Sequence, residues 1–124
     1  GLDPKERAVE YIEVAEELLK ETQEELGKGN VRQAAEKLWD AGALVVKAYA
    51  YWREEKRLSS HGELWEYMRR MVKEMGPWVR DSWNAATAMH VCFYEGWCSE
   101  EDVEAAAKHV EKLVKEAASR IKKH

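Results

Sequence analysis

The residues best suited to chemistry lie in AMHVCFYEGW, residues 88–97, which combines a histidine with a cysteine and three kinds of aromatic ring. An imidazole can take or give a proton near neutral pH, and aromatic rings can stack on bases or anchor an interface. His90 could therefore be a catalyst, a metal ligand or a core residue. Its neighbours three and four positions away are apolar or aromatic except Thr87, so it lies on an inward helix face. A core histidine, bonded to Thr87 or a tyrosine hydroxyl, is the default interpretation.

The other histidines are weaker candidates. His61 precedes a glycine at a helix start, where a ring nitrogen can satisfy a free backbone group, so we interpret it as structural. His109 falls within a helix and is interpreted as semi-exposed packing, and His124 as a chain-end residue. No acid lies three residues before His61, His90 or His109, and neither a phosphate-binding glycine loop nor HExxH occurs. The sequence predicts no metal site and no cofactor.

Two cysteines, Cys92 and Cys98, are too few for a disulfide framework. Neither has a second Cys or His pair at zinc-site spacing. We expect two reduced thiols. A local disulfide, as in some proteins of hyperthermophiles, is the alternative.

The elements that position these residues are predicted to be helices, since prolines are few and no Val, Ile and Thr-rich alternating run occurs. Start and stop signals divide the chain into five helices, from Asp3-Pro4 to GKGN, from Asn30 to about Lys56, from Ser60 to Gly76, from Pro77 to Gly96, and from Ser99 onward. Ser60 with Glu63 and Ser99 with Asp102 form capping boxes. We therefore expect one all-α domain over residues 1–124, an antiparallel up-and-down bundle of about five helices.

The second helix differs from the others because residues 38–52 carry only two charges, Asp40 and Lys47. A helix with apolar residues around most of its circumference is the buried centre of a bundle or faces a second subunit. Gly42 would let another helix approach closely. Asp40 and Lys47 lie about 10 Å apart along the axis, too far for a direct pair. We expect each to find a partner on another helix or to reach the rim.

Charge and hydropathy limit the partners and the location. The net charge of -4 disfavours a surface devoted wholly to nucleic acid, although local basic patches remain possible. No apolar run reaches the roughly 18 residues that span a bilayer, and the first residues show no signal-peptide pattern. We expect a cytoplasmic protein without a membrane partner.

Three segments together are similar to the PaREP family of small multi-copy proteins of thermophilic archaea, within the wider HEPN superfamily of helical bundles. The segments are GNVRQAAEKLWDAGALVVKAYA at 29–50, LSSHGELWEYM at 58–68 and MHVCFYEGWCSEEDVEAAAKHVEKLV at 89–114. The resemblance implies a HEPN-like antiparallel bundle that forms homodimers. In the wider superfamily, proteins with this bundle are linked to nucleotide or RNA binding and are often encoded beside a small nucleotidyltransferase.

The resemblance also identifies the residues that active HEPN ribonucleases would need. Those enzymes carry an arginine, usually followed by a polar residue, and a histidine after four to six intervening residues. Carried onto this chain, the histidine is His90 and the polar residue Asn84, but Trp83 occupies the arginine position. Arg80, the nearest arginine and a candidate phosphate contact, is about 15 Å from His90 along the axis and some 80° around the helix. With the arginine missing, the resemblance implies a module without nuclease activity.

Three functional hypotheses follow. The preferred one is a homodimeric module whose cleft, lined by Trp83, Asn84, His90 and Tyr94, holds a nucleotide, RNA or a partner protein, although the tryptophans could equally be core packing. The second is a metal-independent ribonuclease in which His90 acts with a displaced basic residue, drawn from Arg80, Arg53, Lys56, Arg57, Arg69 and Arg70. The third is a structural interaction protein, such as the partner of a nucleotidyltransferase.

Overall fold

Five α-helices form the computed structural model, which describes residues 3–123 and leaves His124 outside the described part. The helices are α1 (Pro4–Gly27), α2 (Val31–Glu54), α3 (His61–Met75), α4 (Trp78–Glu95) and α5 (Glu100–Lys123). The described residues contain no strand. The all-α class and the five-helix organisation are confirmed. None of the helices within residues 3–123 has the length and apolar character needed to cross a membrane.

The two capping boxes form as the sequence predicts. Ser60 Oγ accepts the Glu63 amide at 3.1 Å, and the Glu63 carboxylate accepts the Ser60 amide at 3.1 Å. Ser99 and Asp102 exchange the same pair of bonds, at 3.2 and 2.8 Å. Each box satisfies two backbone donors that a helix start leaves free. These caps fix the first residues of α3 and α5.

The starts of α1 and α2 differ from each other. Asp3 caps α1 by accepting the Glu6 amide at 2.8 Å. Asn30 is the N-cap residue of α2, where the sequence places the start of this helix, but no side-chain bond caps it. The side-chain Nδ2 of Asn30 donates instead to the Glu25 carboxylate at 2.9 Å, back across the α1–α2 turn.

Helix α2 is the centre of the bundle and packs against each of the other four helices. Its buried side chains cover well over half of its circumference, and Asp40 and Lys47 lie on the less buried remainder, which explains the near absence of other charges between residues 38 and 52. Of the two predicted alternatives, the buried centre is therefore the one observed. The apolar surface of α2 is consumed within the chain, so it offers no wide face for a second subunit.

The closest approach of α2 to a neighbour occurs at Gly42, as the sequence predicts. A Cβ atom at Gly42 would lie 2.8 Å from the Cβ of Ala86 on α4. Such a distance is too short for any side chain, so only glycine fits. Because the two helices touch at backbone level, this contact fixes their separation. The same helix pair carries Glu36 and His90, whose meeting is described below.

Helix α3 departs from strict alternation of direction. Its first residue, His61, lies beside Trp39 in the first half of α2, with ring centroids 5.5 Å apart. Farther along, Arg70 pairs with Glu54 at the end of α2, at 2.8 Å. Helix α3 therefore runs in the same general direction as α2. The reason is the connection 55–60, in which Glu55 takes a left-handed conformation that ends α2. The five residues after it can reach about 17 Å when extended, which returns the chain along α2.

The cysteines differ from the expected reduced thiols, because Cys92 and Cys98 form a disulfide. Gly96 adopts a left-handed conformation with φ of 73°, which ends α4 and turns the chain back. This turn brings the two Cα atoms to 5.6 Å, within the range that a disulfide spans. The local disulfide, the predicted alternative, therefore ties the α4–α5 turn to the end of α4.

Candidate histidine site

His90 is held by a carboxylate and by an indole. Its Nδ1 lies 2.9 Å from Glu36 Oε1. Its ring stacks on Trp39, with centroids 4.7 Å apart and planes at 23°. The expected bond to Thr87 or to a tyrosine is wrong, since the Thr87 hydroxyl donates to the Trp83 carbonyl within α4 at 2.9 Å. Two contacts from α2 thus fix the position and the plane of the imidazole.

Two further rings complete the arrangement. The exposed His61 ring lies 5.4 Å from that of His90, centroid to centroid, and meets it edge to face. Tyr94 lies 5.1 Å from His90 on the other side and is 67% exposed. We refer to Glu36, Trp39, His61, His90 and Tyr94 as the histidine cluster. Helices α2, α3 and α4 each contribute to it.

The cluster has the components of an acid-base site. An ionised Glu36 only accepts hydrogen bonds, so the ring proton of neutral His90 belongs on Nδ1 and leaves Nε2 as the basic nitrogen. With His61 nearby, one imidazole could take a proton while the other gives one. The arrangement can therefore bind polar groups or transfer protons.

A cavity of about 340 Å³ adjoins the histidine cluster. It is lined by Leu18, Trp39, Asp40, Ala43, Leu44, Lys47, Ser59, His61 and Leu64. Apolar walls with a few polar groups are typical of small-molecule sites. Asp40 and Lys47 both reach this cavity. Burial raises the pKa of Asp40, the nearby Glu36 raises it further, and His90 opposes the change.

Arg32 was not identified from the sequence. Its Nε and Nη2 donate to the carbonyls of Phe93 and Tyr94 at 2.9 and 3.0 Å. These carbonyls belong to the last turn of α4, where no partner exists within the helix. Arg32 therefore fixes the turn that holds Tyr94 against His90. The available signal was its position four residues before Glu36, on the same face of α2.

The predicted cleft residues are only partly brought together. His90 and Tyr94 are in contact, whereas Trp83 is fully buried behind Trp39, with centroids 5.3 Å apart. Its indole N–H has no hydrogen-bond partner within residues 3–123. Trp83 thus supports the cluster from inside the core. Asn84 is exposed and has no bond to the cluster among the described residues.

Arg80, the predicted phosphate contact, is exposed in the first turn of α4. About 15 Å of helix separates it from His90, which lies near the opposite end of α4. Residues 3–123 also bring together no group of three His, Cys, Asp or Glu side chains suited to a metal ion. The histidine cluster itself offers imidazole, carboxylate and aromatic groups.

Comparisons with known proteins place the chain among its relatives. The family model for the archaeal PaREP1/PaREP8 family matches residues 10–114. The chain is similar to a protein from Sulfolobus solfataricus whose crystal structure is known, with 26% sequence identity and a TM-score of 0.74. That match covers 86% of this chain and 94% of the other. No curated protein matches the chain. Because the family model spans most of its length, the chain belongs to the archaeal PaREP1/PaREP8 family.

Proposed function

We propose that this protein is a HEPN-like binding module without catalytic activity, which holds a nucleotide or an RNA base at the histidine cluster and its adjoining cavity. The observation that carries the proposal is the position of His90. It is fixed by Glu36 and Trp39, and it faces the exposed His61 at the edge of the cavity. A site with ring faces and polar groups at one opening suits a planar, hydrogen-bonding ligand.

The ring contacts supply the affinity. His61 and Tyr94 are exposed on either side of His90, and each can stack on or meet the edge of a base. Stacking of a base on an aromatic side chain contributes about 1–3 kcal/mol. The Asp40 carboxylate can accept a base N–H, and Lys47 in the same cavity can contact a phosphate. The cavity volume, about 340 Å³, suits a single nucleotide rather than a longer ligand.

The charges at the site favour binding over cleavage. Cleavage of RNA without a metal requires a cation that stabilises the charge developing on phosphorus. Arg32, which holds the turn of α4 that carries Tyr94, already donates to two carbonyls of that helix. The carboxylates of Glu36 and Asp40 adjoin the histidines and would repel a phosphate centred between them. A base at the cluster with its phosphate toward Lys47 avoids this repulsion.

A metal-independent ribonuclease is the second candidate, favoured by one observation, the 5.4 Å separation of the His61 and His90 rings. In that reaction one imidazole would take the proton of the ribose 2'-hydroxyl, and the freed oxygen would attack phosphorus. The other imidazolium would give its proton to the departing 5' oxygen. Lys47, which lines the adjoining cavity, would be the cation. Among the described residues, none of the arginines considered for this role in the sequence analysis contacts the histidine cluster.

The proposal includes a homodimer, with α4 rather than α2 at the contact. Val91, Tyr94 and Trp97 are 40%, 67% and 52% exposed and lie within seven residues of one another. Exposed apolar side chains grouped in this way favour a protein contact. Light scattering at micromolar concentration should give the dimer mass for the native chain and the monomer mass for Trp97→Ser. A native monomer would contradict the dimer.

The binding experiment separates the candidates. Isothermal titration with AMP and with a short single-stranded RNA should show binding that His61→Ala weakens at least tenfold. His109→Ala, which removes an exposed histidine from α5, should leave binding unchanged. No heat with either ligand would contradict the proposal, and recovery of a nucleotidyltransferase-type partner in a pull-down would then favour the purely structural alternative.

The same RNA decides between binding and cleavage. Incubation with the native chain should leave it intact in the presence of a chelator. Cleavage that His90→Ala abolishes would establish the ribonuclease instead.

A further inference from the structure

A second cavity lies at the other end of α2, outside the histidine cluster. Its volume is about 280 Å³, and it is lined by Tyr49, Trp52, Arg53, Glu74 and Arg120. The last turns of α2, α3 and α5 meet there. Tyr49 follows Glu36 by thirteen residues of helix, about 20 Å along the axis, so the two sites are separate. Neither the family nor the proposed function assigns a role to this second cavity.

The charges of this cavity are not balanced. Glu74 Oε1 accepts the Tyr49 hydroxyl at 2.8 Å and lies 3.2 Å from Arg53 Nε. Arg120 adjoins the same tyrosine, and within residues 3–123 it forms no ion pair. The lining thus holds two guanidinium groups and one carboxylate, and only Arg53 is paired with it. The cavity retains a net positive charge where three helices meet.

The donors are also in excess. A guanidinium carries five N–H donors in one plane, so a single carboxylate oxygen cannot satisfy two of them. Arg53 approaches Glu74 through Nε, its inner nitrogen, and its guanidinium carbon lies 5.5 Å from the centroid of the Trp52 ring. An arginine fork beside an indole matches a carboxylate or phosphate attached to a planar group.

The floor of the cavity is rigid and stays neutral. Tyr49 is 1% exposed, and its ring meets that of Trp52 edge to face, with centroids 5.3 Å apart. Burial raises the pKa of Tyr49, Glu74 raises it further, and Arg120 opposes the change. The phenol therefore remains a hydrogen-bond donor at neutral pH. It adds no negative charge that would repel an anion.

We infer that this cavity binds a small organic anion, with a carboxylate or phosphate group between Arg53 and Arg120 and a planar ring against Trp52. A volume of about 280 Å³ lies just below the usual range for drug-sized ligands, so the ligand is a small one with a single ring system. Glu74 acts as the resident counter-ion and competes with the ligand for the two arginines.

Isothermal titration of the full chain with phenyl phosphate, benzoate and benzyl alcohol tests the inference. At least one of the two anions should bind, and the better of them identifies the anionic group. The neutral alcohol should not bind. Arg53→Gln and Arg120→Gln should each weaken binding at least tenfold, whereas Glu74→Gln, which removes the competing carboxylate, should strengthen it about threefold.

Arg69→Gln is the matched control, because it removes an equal charge from an exposed position on α3. If it weakens binding as much as Arg53→Gln, the interaction is general charge attraction and the inference is wrong. Failure of both anions to bind at millimolar concentration, or equal binding of the neutral alcohol, would also overturn it. The Arg53 side chain is 47% exposed, so Arg53→Gln should leave the core intact. If Arg120→Gln lowers the folded fraction, the binding measured with Arg53→Gln alone tests the inference. His61→Ala should have no effect, which separates this site from the histidine cluster.

Discussion

Replacing Gly42 by alanine should separate α2 from α4 and disturb the histidine cluster. The added Cβ would lie 2.8 Å from that of Ala86, whereas carbon atoms in contact prefer about 3.5–4.0 Å. Both atoms are attached directly to helix backbones, so neither can rotate away. The helices would have to move apart by about 1 Å, and the Glu36–His90 bond, now 2.9 Å, joins the same two helices.

The expected change in stability combines two opposing effects. Overpacking of a core usually destabilises by about 1–3 kcal/mol. Alanine in a helix interior is favoured over glycine by about 1 kcal/mol. Because neither Cβ can rotate away, the upper part of the overpacking range, about 2–3 kcal/mol, applies, and the net result for Gly42→Ala is a loss of about 1–2 kcal/mol in the free energy of unfolding. A chain of this size should then lose roughly 3–8 °C in melting temperature.

Urea unfolding followed by circular dichroism gives the required free energies. Gly62→Ala is the matched control, since a Cβ there would meet only Ser60 Oγ, at 3.9 Å. It should be neutral or stabilising by up to about 1 kcal/mol. In the double variant Gly42→Ala with Ala86→Gly, the clash is removed, so the two changes should couple favourably by about 1–3 kcal/mol.

A stabilising Gly42→Ala, or a double variant whose effect equals the sum of the single ones, would refute this description of the helix contact. It would mean that helix propensity alone governs the position. A change in the free energy of unfolding equal to that of Gly62→Ala would lead to the same conclusion.

Three other predictions concern the helix ends. Reduction of Cys92–Cys98 should lower the free energy of unfolding by roughly 2 kcal/mol for a loop of this size, measured in urea with and without reductant, and an unchanged midpoint would contradict it. Ser60→Ala should destabilise α3 by about 1 kcal/mol in the same assay, and Ser59→Ala by less. Hydrogen bonds from Ser59 and Ser60 lower the pKa of Glu63. The contribution of Glu63 to folding stability is therefore fully present above pH 4.5 and is lost as the pH falls through the lowered pKa. Glu63→Gln should therefore flatten the acid side of the stability curve, and an unchanged pH profile would argue against the capping bond.

The fold follows from local signals to a large extent. The helix boundaries depend on capping residues and glycines that are neighbours in sequence, and Gly42 could be identified because the residues around it in α2 are predominantly apolar. The direction of α3 could not be predicted, since it depends on the path of residues 55–60, where no periodic pattern exists. The lack of a side-chain bond at the N-cap residue Asn30 could not be predicted either, since the bond of its side chain to Glu25 depends on the geometry of the α1–α2 turn.

The candidate site was less predictable than the fold. Helical spacing places His90 on an inward face, but it does not say which residue of another helix lies opposite. Glu36, 54 residues away, and Arg32, 61 residues from Phe93, meet α4 only through tertiary packing. His61 was interpreted as structural because its own neighbours are polar or small. Trp83 was placed in the cleft through the resemblance, whereas the structure buries it completely.

The central claim is that the histidine cluster binds a nucleotide, and histidine-selective NMR during titration with AMP tests it most directly. The ring signals of His61 and His90 should shift together along one saturation curve, because the two rings lie 5.4 Å apart at the edge of the cavity. The signal of His109 on α5 should stay in place. Saturable binding that moves neither His61 nor His90, or no shift at millimolar AMP, would contradict the claim.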